Sequence, residues 1–296
     1  MKHVYELIPP LKEYIWAGSN LKKYKKTNLD KISESWELSF LDGDESKLIY
    51  DNKEVNITEF IKSDLINKYI NPKIQNLLIK LIDSAQSLSI QVHPSDEYAL
   101  KYENSLGKTE MWIILDAEEG SYINLGFNQD VKKEDFPELI KDDSILSFLN
   151  KIYVKPGDIY LIKPGTIHAI GEGITLLEIQ ESSKLTYRVY DFNRIDKNGS
   201  KRELHVSKAM DVLNFSKLDI QNLNKEEVIK TNYFEVYKGN NSNENKIDII
   251  KPSIITIIEG NGFIDETEVS KFKSYFVLPC EKLKLKGNFE YFVTTI

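Results

Sequence analysis

The first half of the chain contains a stretch with a two-residue hydrophobic period. In "SLSIQVHPSDE", residues 87–97, leucine, isoleucine and valine alternate with serine, Gln91 and His93. Side chains two positions apart lie on the same face of a strand. The pattern therefore predicts a strand with one apolar face and one polar face, on which Gln91 and His93 are neighbours.

Other stretches have helical spacing. The clearest is "ITEFIKSDLINKYINPKIQNLLIKLID", residues 57–83, where the apolar positions follow a helical period that is interrupted near Pro72. "KKEDFPELIKDDSILSFLN", residues 132–150, and "RELHVSKAMDVL", residues 202–213, predict further short helices.

Short strands separated by turns account for most of the remainder. "ISESWELSFL" predicts a strand with Trp36 and Leu38 on one face, and "EMWIILDAEEGSYINLGF" predicts a hairpin around "DAEEGS". Pro-Gly and Gly-x-Gly turns punctuate residues 153–193, and residues 252–296 are almost wholly strand and turn. Many short, evenly spaced strands predict a closed or sandwiched antiparallel β architecture with helical decoration.

Composition narrows the class of protein. The 296 residues are 41% hydrophobic and 29% charged, which is typical of a folded chain with a substantial core. We predict two domains: a catalytic one over residues 1–235 with helical insertions, and a smaller β domain over residues 236–296 that serves packing or pocket shielding.

Charge and cysteine content bear on partners and location. A net charge of −7 argues against nucleic acid or an anionic membrane as the main partner, although local cations can still hold a small anion. The single cysteine, Cys280, excludes an internal disulfide. No signal-like start and no apolar run near the ~20 residues of a membrane span are found, so we expect a cytoplasmic protein. The oligomeric state is left open.

Four separated polar residues suggest a metal site. Besides Gln91 and His93, Glu110 begins an apolar run in "GKTEMW", where a strand entering a core would seldom start with a carboxylate, and His168 follows a Pro-Gly turn in "KPGTIHAIG". Two imidazoles, a carboxylate and an amide oxygen suit zinc, iron, nickel or manganese. A solvated or simply hydrogen-bonded Gln91–His93 pair is the alternative.

The order of these motifs resembles a known family. "SIQVHP", "GKTEMW", "PGTIHAIG" and "LLEIQESSKLTYRVYDFNR" occur in the order seen in type I mannose-6-phosphate isomerases, which are cupins, and "LIPPLKEYIWAGSNL" and "ESWELS" resemble the family's opening pattern. The resemblance covers about residues 7–194 and is to the short bacterial form. It implies a cupin-type β-barrel (jelly roll) and an enzyme of carbohydrate metabolism. That enzyme would interconvert mannose 6-phosphate and fructose 6-phosphate through a cis-enediol.

The resemblance also implies a role for particular residues. It implies one Zn²⁺ per chain, other divalent metals being possible, with Gln91, His93, Glu110 and His168 as ligands. Gln91 stands where the general cupin pattern has a histidine. Arg188 would stabilise the developing negative charge, and Glu178 and Lys108 are both candidates for the base. The implied pocket residues are Trp16, Glu34, Lys80 and Ser89.

Each of these residues also has a plain structural interpretation. Arg188 could pair with Asp191 on its strand, Glu178 could point outward, and Lys108 could be an exposed turn residue. Lys80 could lie on the solvated edge of a helix, and Trp16 could be a buried anchor. A non-catalytic cupin that binds a phosphosugar as a regulatory sensor is the alternative function. An iron oxygenase or a sugar epimerase of the same fold is less consistent with Gln91 and "TYRVYDF".

Overall fold

The computed structural model describes residues 2–195, 199–220 and 228–296, and the chain is mainly β. The strands of the first half are β1 (Val4–Ile8), β2 (Leu11–Lys12), β3 (Glu34–Leu38), β4 (Lys47–Tyr50), β5 (Lys53–Asn56), β6 (Leu77–Ser84), β7 (Ile90–Val92), β8 (Glu110–Ala117), β9 (Tyr122–Phe127) and β10 (Leu149–Tyr153). Those that follow are β11 (Ile159–Ile162), β12 (His168–Ile170), β13 (Ile174–Glu181), β14 (Tyr187–Tyr190), β15 (Val228–Lys230), β16 (Glu235–Asn241), β17 (Glu244–Ile249), β18 (Ser253–Ile264), β19 (Thr267–Ser270), β20 (Ser274–Val277) and β21 (Cys280–Thr295).

Short helices decorate this framework. They are α1 (Ile57–Lys62), α2 (Asp64–Asn67), α3 (Asp96–Tyr102), α4 (Phe136–Lys141) and α5 (Val206–Val212), with 3₁₀ turns at Leu21–Lys23, Pro72–Asn76 and Ser144–Phe148. Helix α3 begins at a serine N-cap, since the Ser95 side chain accepts a hydrogen bond from the N–H of Tyr98. No helix among the described residues is long and apolar enough to cross a membrane.

Two antiparallel sheets form a jelly roll. One has six strands in the order β11-β8-β13-β6-β3-β2, and the other has five in the order β10-β9-β12-β7-β14. Their inner faces share one apolar cluster, in which Trp112 and Leu176 of the six-stranded sheet meet Leu125 and Ile170 of the five-stranded sheet. The predicted cupin-type fold is confirmed.

A third sheet contains most of the carboxy-terminal residues. It has ten strands, with the main path β15-β16-β21-β18-β20-β1-β4-β5 and with β17 and β19 pairing at β21 and β18. Strand β1 is therefore inserted between β20 and β4, so residues from both ends of the described chain share this sheet. The boundary proposed at residue 235 stays a prediction.

The six-stranded sheet is covered on both faces. Its outward side chains, including Leu81 and Ile179, pack in one cluster with Ile254, Phe276 and Phe292 of the ten-stranded sheet. The outer face of the five-stranded sheet instead packs against α4, α5 and the neighbouring turns. The six-stranded sheet thus lies between an apolar layer on its outer side and the pocket on its inner side.

Three local predictions were wrong. Residues 77–83 form strand β6 rather than helix, because a strand buried on both faces reads as a continuous apolar run without strict alternation. Strands β8 and β9 do not pair as a hairpin; they lie in opposite sheets of the jelly roll. Trp36 lines the pocket while Leu38 packs in the outer cluster, because the register of β3 shifts between Ser35 and Leu38.

Candidate metal centre and substrate pocket

One row of polar side chains crosses the five-stranded sheet. Gln91 on β7 lies directly opposite His168 on β12 and, on its other side, opposite Arg188 on β14. Directly opposite residues on adjacent strands point to the same face. The sheet therefore lines up an amide, an imidazole and a guanidinium in one row.

A second row crosses the six-stranded sheet. Glu178 on β13 lies opposite Lys80 on β6 and opposite Trp112 on β8. Glu110 precedes Trp112 by two positions on β8 and so shares its face. The two rows enclose the interior of the jelly roll from opposite sheets.

The side chains of His93, Glu110 and His168 converge between the sheets. Their potential ligand atoms all lie within 4.8 Å of one another, and all three residues are buried. His93 Nε2 lies 3.3 Å from Glu110 Oε1, and His168 Nε2 lies 3.5 Å from Glu110 Oε2. Gln91 belongs to the same group, since its Nε2 lies 3.4 Å from His168 Nε2.

The protonation states of these groups suit metal binding. Burial, reinforced by the Lys108 charge, lowers the pKa of His93 to about 3, and burial lowers the pKa of His168. Burial alone would raise the pKa of Glu110, but the nearby Lys108 and His93 bring it well below its ordinary value. Neutral imidazoles and an ionised carboxylate are the forms that coordinate a metal.

Two hydrogen-bonding details support a metal at this point. Neither carboxylate oxygen of Glu110 has a well-directed hydrogen bond from any described residue, although Lys108 Nζ lies 2.9 Å from Oε1. His168 Nδ1 lies 2.8 Å from the carbonyl oxygen of Thr166, which fixes the tautomer and leaves the Nε2 lone pair facing Glu110. Lys108 offsets the charge at Oε1 only, and a buried Oε2 without a hydrogen bond is costly unless a metal binds it. The donor set fits a divalent metal.

Lys108 lies beside this cluster. Its ammonium group is buried and lies 2.9 Å from Glu110 Oε1 and 3.3 Å from His93 Nε2. The interpretation of Lys108 as an exposed turn residue is therefore wrong.

A network of carboxylates and one lysine fills the adjoining wall. Lys80 Nζ lies 2.8 Å from Glu178 Oε1 and 3.8 Å from Glu34 Oε2. The indole N–H of Trp36 donates to Glu34 Oε2, and that of Trp112 donates to Glu178 Oε2 at 2.9 Å. Lys80 and Glu178 are both buried, so neither is a solvated surface residue.

The pKa values of this network follow from burial and from the opposite charges. Burial would lower the pKa of Lys80, but Glu178 and Glu34 outweigh it and raise that pKa. Burial raises the pKa of Glu178, and Lys80 only partly offsets this effect. Lys80 therefore remains a cation, while Glu178 is a carboxylate that accepts a proton more readily than an exposed one does.

Arg188 reaches the pocket from the five-stranded sheet. Its Nε donates to the hydroxyl of Ser89 at 3.3 Å, and its Nη1 donates to the carbonyl oxygen of Glu203 at 3.0 Å. Asp191 instead accepts hydrogen bonds from Arg194 and Arg202. The alternative interpretation, in which Arg188 pairs with Asp191, is therefore wrong. Among the described residues no carboxylate pairs with the Arg188 guanidinium.

These groups line one pocket of about 430 Å³. The predicted site residues that border it are Trp16, Glu34, Lys80, Ser89, Gln91, Lys108, Glu178 and Arg188. Trp16 is buried as the alternative interpretation required, yet it also borders the pocket. His93, Glu110 and His168 lie at the inner end, where Gln91 and Lys108 contact them.

Sequence reasoning did not assign several polar and aromatic residues of the pocket to the site. Trp36, Asp44, Lys184 and Arg202 border it, and Trp112 lies behind Glu178. One signal could have identified the tryptophans: each follows a glutamate of the site by two positions, as in "ESW" and "EMW". No such sequence signal identifies Asp44, whose carboxylate accepts a hydrogen bond from Lys184, far along the chain.

The chain is similar to known sequences and solved structures. No protein-family model matches it. It is 34% identical to the mannose-6-phosphate isomerase ManA of Bacillus subtilis, with 97% of this chain and 96% of that protein covered. It is 40% identical to a mannose-6-phosphate isomerase of Streptococcus mutans over 64% of this chain and 62% of that one.

The fold is also similar to that of solved mannose 6-phosphate isomerase structures. The crystal structure of the mannose 6-phosphate isomerase from Bacillus subtilis matches with a TM-score of 0.86 and 30% identity over 100% of both chains. A zinc-bound mannose 6-phosphate isomerase matches with a TM-score of 0.77 over 99% of both chains, at 15% identity. The latter similarity bears on the fold alone.

Proposed function

The chain belongs to the mannose-6-phosphate isomerase family and is an aldose–ketose isomerase. We propose that its jelly-roll pocket converts mannose 6-phosphate to fructose 6-phosphate and back at one zinc ion. The enzyme is metal-dependent: the buried His93–Glu110–His168 cluster is where a metal would bind. The proposal for this site rests mainly on Glu110, whose two buried oxygens have no well-directed hydrogen bond among the described residues.

In this proposal Gln91, His93, Glu110 and His168 hold the metal. Nitrogen and oxygen donors of this kind suit zinc, and a zinc-bound mannose 6-phosphate isomerase shares the fold. When bound, the ion supplies Lewis-acid polarisation of the substrate oxygens. With a ligand set that contains one carboxylate, the centre keeps a net positive charge, which suits an anionic substrate.

Arg188 is assigned to stabilise negative charge during proton transfer. Its guanidinium is half-buried at the pocket wall, is oriented by Ser89 and Glu203, and has no carboxylate partner among the described residues. A fixed cation in a partly desolvated site stabilises an enediolate oxygen as charge develops there. Ser89 then acts by orienting Arg188.

Glu178 is the better candidate for moving the proton between C2 and C1. It borders the pocket, and burial raises the pKa of its carboxyl, which strengthens it as a base. Lys108 is held against Glu110 and His93, and we assign it to neutralise charge beside the metal ligands. Lys80 holds Glu178 and Glu34 in place, while Trp16 and Glu34 contact the sugar.

Turnover with and without metal tests the proposal. Purified protein is incubated with mannose 6-phosphate, and fructose 6-phosphate is measured in the native protein, after chelation, and after re-addition of Zn²⁺ alone. We expect turnover that chelation abolishes and Zn²⁺ restores, with metal analysis giving one ion per chain. Sugar-phosphate binding without turnover under every metal would instead favour the regulatory sensor.

A cytoplasmic location also remains part of this proposal.

A further inference from the structure

Trp112 occupies an unusual position in the wall of the pocket. It is fully buried on β8, directly opposite Glu178 on β13. Its indole N–H donates to Glu178 Oε2 at 2.9 Å. The other oxygen of Glu178 receives the ammonium of Lys80 at 2.8 Å. The two donors fix the carboxylate from opposite sides.

The ring of Trp112 contacts the metal cluster as well. It meets the His168 ring edge-to-face, with ring centroids 5.4 Å apart. The same side chain therefore touches the proposed base through its N–H and a metal ligand through its ring. Trp36 makes a similar bond to Glu34, but it borders the pocket directly.

We propose that Trp112 is a positioning residue that acts through Glu178: its N–H orients the carboxylate toward the substrate and stabilises the ionised form. This inference rests on the proposed role of Glu178. An indole N–H in a buried site holds an anion without adding a charge or a proton that could be transferred. Lys80 alone would leave Oε2 free to rotate away.

Few charged or hydrogen-bonding groups face Glu178, so the effect on its pKa of losing the Trp112 hydrogen bond can be predicted. They are Lys80 from β6, Trp112 and Glu110 from β8, and Lys108 from the segment before β8. Lys80, Lys108 and Glu110 would be unchanged in a Trp112→Phe variant. Since only a donor to the anion is removed, the pKa of Glu178 should rise in that variant.

The test compares Trp112→Phe with the wild type, both loaded with zinc. Phenylalanine keeps an aromatic ring near His168 and removes the N–H. We expect kcat to fall about 10–100-fold, as for loss of other supporting hydrogen bonds, with KM changed less than about threefold and the acidic limb of the kcat/KM profile moved to higher pH. A change in KM alone, or an unchanged kcat, would overturn the proposal.

A double-mutant cycle separates positioning from general damage to the core. In a Glu178→Gln background, Trp112→Phe should cost less than about threefold further, because the group it acts through is already altered. An equal loss in both backgrounds would contradict the proposal. Ile114→Ala is the matched control: it opens a cavity in the same apolar cluster and should lower the unfolding temperature with kcat within about threefold.

A readout without turnover keeps this inference separate from the proposed function. Infrared difference titration of the zinc-loaded protein detects the protonated carboxyl of Glu178 as a band that Glu178→Gln lacks. Trp112→Phe should move the midpoint of that band to higher pH, whether or not the protein isomerises mannose 6-phosphate. An unmoved midpoint would refute the role of Trp112, whereas absence of turnover in the wild type would refute the proposed function.

Discussion

The jelly roll and the ten-stranded sheet are both antiparallel β structure, yet their interiors differ in kind. The jelly roll buries Lys80, Lys108, Glu110 and Glu178 between its sheets. Among the described residues 228–296, by contrast, the buried side chains include several hydroxyls and one amide but no charged group. The cluster there is formed by aliphatic and aromatic residues, as at Ile257 and Phe289.

This difference indicates where function resides. Burying a charge is costly unless it is paired or bound to a metal, so the charged interior of the jelly roll is hard to explain as a means of stabilisation. The apolar interior of the ten-stranded sheet contributes stability and covers the outer face of the six-stranded sheet. We therefore propose that the inward polar positions of the jelly roll, rather than its framework, carry the chemistry.

The largest expected effect is on the metal ligands. His168→Ala removes a donor from the jelly-roll centre, so we expect loss of bound metal and a fall in turnover beyond the 10–100-fold that losing a partner of a ligand costs. Metal analysis and the isomerase assay measure both. The matched control is His3→Ala beside the ten-stranded sheet, which should keep metal and activity. Activity with metal still bound in His168→Ala would show the ligand assignment to be wrong.

Replacing the proposed electrostatic group should separate catalysis from metal binding. Arg188→Ala should retain metal and unfolding temperature but lose about 10²–10³-fold in kcat, comparable to the loss of one preorganised donor at a developing charge. Steady-state kinetics on zinc-loaded protein provide the measurement. Unchanged kinetics would remove Arg188 from the mechanism.

Truncation of an apolar side chain in the ten-stranded sheet should lower stability and leave kcat nearly unchanged. Ile257 is fully buried there, and Ile257→Ala should lower the free energy of unfolding by about 2–5 kcal/mol. The kcat of the folded fraction should stay within a few-fold of the wild type. Denaturant unfolding followed by assay of the folded protein tests this, and a selective loss of kcat would mean that the two regions are more closely coupled than their interiors suggest.

The smallest expected effect is a pH dependence of the free energy of unfolding that arises from one residue of the jelly roll. Burial raises the pKa of Glu181 from 4.5 to about 7, although the Thr109 N–H donates to its Oε2 at 2.7 Å and opposes the rise. Between these values the folded state keeps a proton that the unfolded state has released. The free energy of unfolding should therefore fall as pH rises from about 4.5 to about 7.

Urea unfolding at a series of pH values can isolate this contribution. Glu181→Gln cannot titrate at this position, so its stability should lose this part of the pH dependence while other groups still contribute. Identical pH profiles for the two proteins would contradict the assignment to Glu181.

Much of the site could be predicted because strand periodicity is local. The alternation around Gln91 and His93 identifies a polar face, and Glu110 stands out as a carboxylate at the head of an apolar strand. The family resemblance connected these with His168. Their convergence is a property of the fold, and no single segment contains it.

The sequence failed where packing overrides local pattern. Strand β6 was predicted as helix because both of its faces are covered, which removes the alternation that marks a strand. The helix prediction also gave Lys80 its alternative interpretation as a solvated residue, although it is buried between two carboxylates. The β8–β9 prediction failed for a related reason: a hairpin and a crossing between sheets have the same local signature.

The insertion of β1 between β20 and β4 has a consequence for biosynthesis. Val4 pairs with Val277, so strand β1 must wait until the chain has been synthesised as far as β20 before its partner exists. Contacts this distant in the chain slow folding. Nascent molecules would therefore expose the apolar outer face of the six-stranded sheet until the strands that cover it have been synthesised, and chaperones would be most needed during that interval.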